Sequence, residues 1–238
     1  MTSLARTSAI PIVALDVASV GDAMALVNRL GESCRYYKVG CELFTAAGPH
    51  VVQAIRELGH EVFLDLKLHD IPNTVRGAAR SASRIGASLL TVHASGGVEM
   101  MRAAVEGAGE GCGILAVTIL TSFDADGVAA AWGRESSLSV EGEVERLAGM
   151  AAVAGTHGIV CSGLEAARVR ARHGDRLAPL VPGIRFASGE LHDQSRVVTP
   201  GGAVAAGARY LVLGRAVTGA PDPREAMERV WQEMAAAG

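Results

Sequence analysis

No run of about 18 apolar residues occurs anywhere in the chain, so a membrane-spanning helix is not expected. No block of like charge occurs either. The net charge of −3 and a pI near 6.2 leave no basic surface for nucleic acid. Metal-ligand spacing is missing as well. The four cysteines, Cys34, Cys41, Cys112 and Cys161, are scattered, and no two of the seven histidines stand at helical metal spacing. That pattern predicts no structural zinc, no bound metal, and buried free thiols in a reducing cytoplasm. The opening MTSLARTSAIPIVALD lacks a long apolar core before a cleavage site and reads as a lead into a strand, not a signal peptide. No linker or low-complexity segment divides the chain, which predicts one domain over residues 1–238.

What remains is a chain nearly half hydrophobic and one-fifth charged, enough to bury a sizeable core. Short β-branched runs alternate with Ala-rich amphipathic stretches throughout. The expected strands are IPIVALD (10–16), YYKVGCEL (36–43), EVFLDLKL (61–68), LLTVHA (89–94), GILAVTIL (113–120), GIVCSG (158–163), LAPLVPGI (177–184) and YLVLGR (210–215). Helix-like segments between them, such as HVVQAIRELG and EVERLAGMAAVAG, end in the glycine common just past a helix C-terminus. Eight such units predict an α/β fold, a single (β/α)8 TIM barrel; a doubly wound sheet would carry fewer strands over this length. Two long irregular stretches are expected, 122–139 after the fifth strand and 185–197 after the seventh. Both follow a strand's C-terminal end, where these barrels place their catalytic mouth.

The stretch FLDLKLHDIPNTV (63–75) departs from strand composition. Alternation places Asp65 and Lys67 on one face and the leucines on the other, with Asp70 close behind. An ammonium within about 4 Å of a carboxylate gains on the order of 4 kcal/mol at an effective dielectric near 20. Lys67 flanked by Asp65 and Asp70 is therefore expected to stay protonated and to act as an acid and cation. A buried ion-pair network that only fixes the loop is the plainer alternative. Polar residues also stand at most other strand ends: Asp16, Lys38, His93, Thr121, Ser122, Arg185 and Arg215. Seven strands doing so together is hard to explain by packing. On the far side of the mouth, VPGIR, TPGGA and LGR offer Gly183, Arg185, Gly201, Gly202, Gly214 and Arg215 after strands seven and eight, the recurrent phosphate position of the fold.

DLKLHDIPNT (65–74) is similar to the signature Asp-x-Lys-x-x-Asp-[Ile/Val]-x-x-Thr of orotidine 5′-phosphate decarboxylases. The resemblance extends through ALD (14–16), KVG (38–40), VHASGG (92–97), LTS (120–122), PGIR (182–185), DQSRVVTP (193–200) and LGR (213–215); residues 123–139 match no motif of the family. It implies cofactor-free decarboxylation of orotidine 5′-phosphate to UMP in pyrimidine synthesis, by a cytoplasmic homodimer. Lys67 takes the family's proton-donor position, flanked by Asp65 and Asp70. Asp70, Ile71 and Thr74 take positions that reach the partner's site. Asp16 and Lys38 fall on ribose-contacting positions, Ser122 on the pyrimidine-contacting one and Thr121 on another substrate contact. Arg185, Gln194, Gly214 and Arg215 fall around a phosphate lid, 186–194.

Two rival readings share many of these features. A metal-dependent sugar-phosphate decarboxylase or aldolase of the same superfamily has a similar Asp-x-Lys-x-x-Asp core, but here LTS suits a pyrimidine and no extra acidic ligand set is evident. A non-catalytic binder of phosphorylated nucleosides would have no need of Lys67 with two aspartates.

Overall fold

The computed structural model describes residues 9–133, 139–187 and 198–238. Eight strands, β1 (Ile10–Ala14), β2 (Tyr36–Gly40), β3 (Glu61–Leu68), β4 (Leu89–His93), β5 (Gly113–Val117), β6 (Gly158–Val160), β7 (Ala178–Val181) and β8 (Tyr210–Leu213), pair in parallel in sequence order. The β1–β8 ladder, with Ile10 opposite Tyr210 and Val13 opposite Leu213, closes the barrel. Among the described residues the helices are α1 (Val20–Leu30), α2 (Cys41–Ala47), α3 (Pro49–Glu57), α4 (Pro72–Arg84), α5 (Gly97–Ala108), α6 (Ala125–Trp132), α7 (Val140–Ala154), α8 (Gly163–His173), α9 (Pro200–Ala205), α10 (Arg215–Thr218) and α11 (Pro223–Ala237). None is long and apolar enough to cross a membrane.

Strand alternation divides the core in two. Inward residues Ile12, Ala14, Phe63, Leu89, Leu115, Leu180, Tyr210 and Val212 fill the barrel. Outward residues such as Val13, Val39, Leu64, Leu90, Ile114 and Leu211 join the helices' apolar faces in a larger shell. The barrel is therefore a packed plug, with the charged side chains of Asp16, Lys38, Asp65 and Lys67 at the C-terminal end above it.

Seven of the eight strands are shorter than the sequence predicts, stopping one to three residues early. Hydrophobicity at strand ends serves other purposes here. Leu43 of the expected YYKVGCEL strand is a buried face of α2, and Ile119 and Leu120 line the mouth beyond β5. The stretch 122–139, expected to be irregular, contains α6. Asp124 caps it by accepting a hydrogen bond from Gly127 N–H at 2.8 Å, and Gly133 ends it in the left-handed region. None of the four cysteines forms a disulfide, but only Cys34, Cys112 and Cys161 are buried; Cys41 is exposed, against expectation. Burial pushes the Cys34 thiol up to about 11 and Cys112 up to about 12, which keeps both as inert packing groups.

Candidate active site

The site is assembled at the strand ends, above the apolar plug. A cavity of about 600 Å³ opens there, lined by Asp16, Lys38, Asp65, Lys67, Thr121, Ser122, Gly183, Arg185, Gly214 and Arg215 along with apolar neighbours. These residues come from six different strand ends, and every one was legible as a candidate in the sequence.

One wall is a chain of alternating charge. Lys38 Nζ lies 2.7 Å from Asp16 Oδ1 and 3.8 Å from Asp65 Oδ2. Lys67 Nζ lies 2.9 Å from the same Asp65 Oδ2. Asp65 and Lys38 are buried, so each charge depends on its partners for solvation.

Lys67 reaches this wall by a distorted route. The β3–β4 register passes from Leu64 opposite Leu90 to Leu68 opposite Val92, so β3 carries extra residues at this point. Within that bulge Lys67 has φ +50°; it is the one non-glycine among the described residues with positive φ. The left-handed conformation costs a non-glycine residue roughly 1–2 kcal/mol, and such strain gathers at functional sites. Simple alternation predicted Asp65 and Lys67 on one face. Both do line the cavity, but the bulge aims Lys67, which alternation cannot foresee.

A residue missed in the sequence supports this wall from behind. Thr91, on an inward position of β4 and fully buried, accepts a hydrogen bond from Lys67 N–H at 2.8 Å and donates one to Asp65 Oδ1 at 2.9 Å. Its signal was a polar residue at an inward position in the middle of LLTVH, between Leu89 and His93 on the same face.

Asp70 stands apart from its expected partner. Its carboxylate accepts a hydrogen bond from Ile71 N–H at 2.6 Å, and no ion pair joins it to Lys67. The expected flanking of Lys67 by two aspartates is thus met within one chain by Asp65 alone. Asp70, Ile71 and Thr74 are all exposed around the start of α4, with Ile71 66% exposed. Pro72 opens α4, where its missing N–H costs no helical hydrogen bond.

The opposite wall is cationic. Gly183 takes φ +72°, which glycine adopts without strain, and leads into Arg185. Arg185 is buried; its Nη1 donates to the Ile184 carbonyl at 2.8 Å, while its Nε has no hydrogen-bond partner. Burial, and then the neighbouring Arg215 guanidinium, hold its pKa below the usual arginine value. A buried guanidinium whose charge is disfavoured by a neighbouring one, beside an open cavity, suits an anion. Gly201 and Gly202 do not line this wall. A side chain at Gly201 would meet the Glu233 carbonyl of α11 at 3.0 Å, so TPGGA serves helix packing. Gln194 lies outside the described residues, as does most of the expected lid. His93 ends β4 against His69, ring centroids 5.6 Å apart, and does not line the cavity. Its pKa is lowered by burial first, then by His69 and Lys67.

A closed parallel barrel with paired charges on one side of its C-terminal mouth and arginines after β7 and β8 on the other has the build of a (β/α)8-barrel enzyme. Comparison with known proteins narrows the class. Residues 10–230 match the orotidine 5′-phosphate decarboxylase / HUMPS family profile. The orotidine 5′-phosphate decarboxylase of Anaeromyxobacter dehalogenans is 51% identical over 220 residues, covering 91% of this chain and 94% of that one. That of Chromohalobacter salexigens is 46% identical over 227 residues, covering 94% and 95%. The crystal structure of the Lactobacillus acidophilus orotidine 5′-phosphate decarboxylase superposes with a TM-score of 0.85 at 35% identity, covering 95% of this chain and 99% of that one. The chain belongs to the orotidine 5′-phosphate decarboxylase / HUMPS family.

Proposed function

We propose that this chain decarboxylates orotidine 5′-phosphate to UMP, in pyrimidine synthesis, without a cofactor. The observation that carries this reading is Lys67 Nζ, held 2.9 Å from Asp65 in the same cavity as Arg185 and Arg215. Such a cavity offers a fixed cation to a reacting carbon and a separate cationic grip to a phosphate.

The chemistry asks for that arrangement. When the bond between C6 and the carboxylate breaks, its electron pair stays on C6, in an orbital the pyrimidine ring cannot delocalise well. CO2 leaves, and the charge on C6 must be stabilised as it forms. The Lys67 ammonium does this by position and then gives its proton to C6, becoming a neutral amine that regains a proton from solvent. Asp65 holds the ammonium in place. Asp16 and Lys38, 2.7 Å apart, take the ribose hydroxyls, and Thr121 and Ser122 the base. Arg185, Gly214 and Arg215 take the phosphate, whose binding energy is available to orient the distant reacting centre.

The working unit in this reading is a homodimer. Asp70, Ile71 and Thr74 lie exposed at the rim, and a large apolar side chain such as Ile71 gains by burial in a partner. Asp70, which forms no ion pair with its own Lys67, would then flank the partner's Lys67.

Purified protein treated with chelator and given orotidine 5′-phosphate should discharge the orotidine absorbance with many turnovers. Binding without turnover would establish the nucleotide-binder reading, and turnover restored only by divalent metal would establish the sugar-phosphate enzyme type.

A further inference from the structure

We infer that Thr91 is a positioning residue that sets the aim of Lys67, through two hydrogen bonds made by one hydroxyl. A threonine hydroxyl has one hydrogen and two lone pairs. The Lys67 N–H can only donate, and it points at Thr91 Oγ1 from 2.8 Å. The hydroxyl's own hydrogen is therefore free for Asp65 Oδ1, 2.9 Å away. This divides the carboxylate: Oδ1 is held from below by Thr91, and Oδ2 is left facing Lys67 Nζ at 2.9 Å and Lys38 Nζ at 3.8 Å.

The same oxygen stabilises the strained backbone. In the β3 bulge, the left-handed turn at Lys67 takes its N–H out of the regular β3–β4 ladder. A buried N–H without an acceptor is costly, and Thr91 supplies the acceptor. One buried group thus fixes both the main chain from which Lys67 departs and the carboxylate against which its ammonium rests. Thr91 does not line the cavity, so it acts only through these two residues.

This inference rests on the decarboxylase reading, and it assigns Thr91 to kcat and not to substrate binding, because the phosphate grip lies across the mouth. Thr91→Val keeps the shape and removes both hydrogen bonds. Its kcat should fall roughly 10- to 100-fold, the range for partners that orient a reacting group, while KM stays within about threefold. Thr91→Ser should recover most of the loss. Thr118 is the control: it is equally buried, but its hydroxyl donates to the Val160 carbonyl at 2.8 Å and touches no ionised residue. Thr118→Val should show no selective kcat loss. In the absence of substrate, acylation of the Lys67 amine should be faster in Thr91→Val than in wild type or Thr91→Ser. If Thr91→Val does not fold, Thr91→Cys, close in volume and weak in hydrogen bonding, carries the same expectation. Wild-type kcat in Thr91→Val, failure of Thr91→Ser to rescue, or the same kcat loss in Thr118→Val would overturn the role of Thr91. A wild-type protein inert toward orotidine 5′-phosphate would instead sink the decarboxylase reading, and the acylation rates would still decide whether Thr91 governs Lys67.

Discussion

At the scale of residues, the mouth is divided by charge. Asp16, Lys38, Asp65 and Lys67 neutralise one another in a row, whereas burial and the neighbouring Arg215 disfavour the charge on Arg185. Arg185, buried with its Nε lacking a hydrogen-bond partner, and Arg215, exposed at the start of α10, both face the cavity and can give charged hydrogen bonds to an arriving dianion. Arg215→Ala should therefore weaken binding of orotidine 5′-phosphate by roughly 1.5–3 kcal/mol, the range for charged hydrogen bonds. Steady-state kinetics on the nucleotide and on phosphate-free orotidine separate the possibilities. The loss should be confined to the phosphorylated substrate, and equal losses on both would mean that Arg215 acts through the fold. Most of these residues were legible because charge at a strand end contradicts packing. Thr91 was not, since a single threonine in a strand is compatible with ordinary β-propensity.

At the scale of elements, the eight strand starts were readable to within a residue, because β-branched runs begin abruptly after glycine and polar turns. The ends were not. CELFTAA continues the apolar run of β2 but folds as α2, and the α6 sequence ADGVAAAW lies between loop-like flanks that hid its period. The bulge that turns Lys67 was invisible for a different reason: it depends on a register shift against β4, a long-range property. Helix packing supports the rim in turn. Gly107 of α5 lies against Arg76 of α4, where an added Cβ would fall 2.2 Å from the Arg76 carbonyl oxygen. Because backbone cannot swing aside as a side chain can, Gly107→Ala should force α4 outward and destabilise the fold by about 1–3 kcal/mol. Urea denaturation should show a lower midpoint with an unchanged slope. An unchanged midpoint would mean that the α4–α5 contact has slack, and that the positions of Asp70 and Thr74 are fixed by something else.

At the scale of the whole molecule, one chain places a single aspartate beside the Lys67 ammonium. Lys67 has Asp65 from its own barrel, while Asp70, placed by sequence to flank it, lies exposed on the rim at the start of α4. In the proposed dimer, Lys67 performs the decarboxylation with Asp65 beside it and Asp70 supplied across a two-fold interface. Subunit complementation tests all three parts at once. Lys67→Ala and Asp70→Ala should each be inactive alone. In a mixed dimer one site carries both lesions and the other neither, so statistical exchange of equal amounts should restore about a quarter of wild-type turnover, as two-fold symmetry requires. Restored activity at that level is the predicted result; an exchanged mixture as inactive as its parents, or a Lys67→Ala protein with near-normal turnover, would contradict the account.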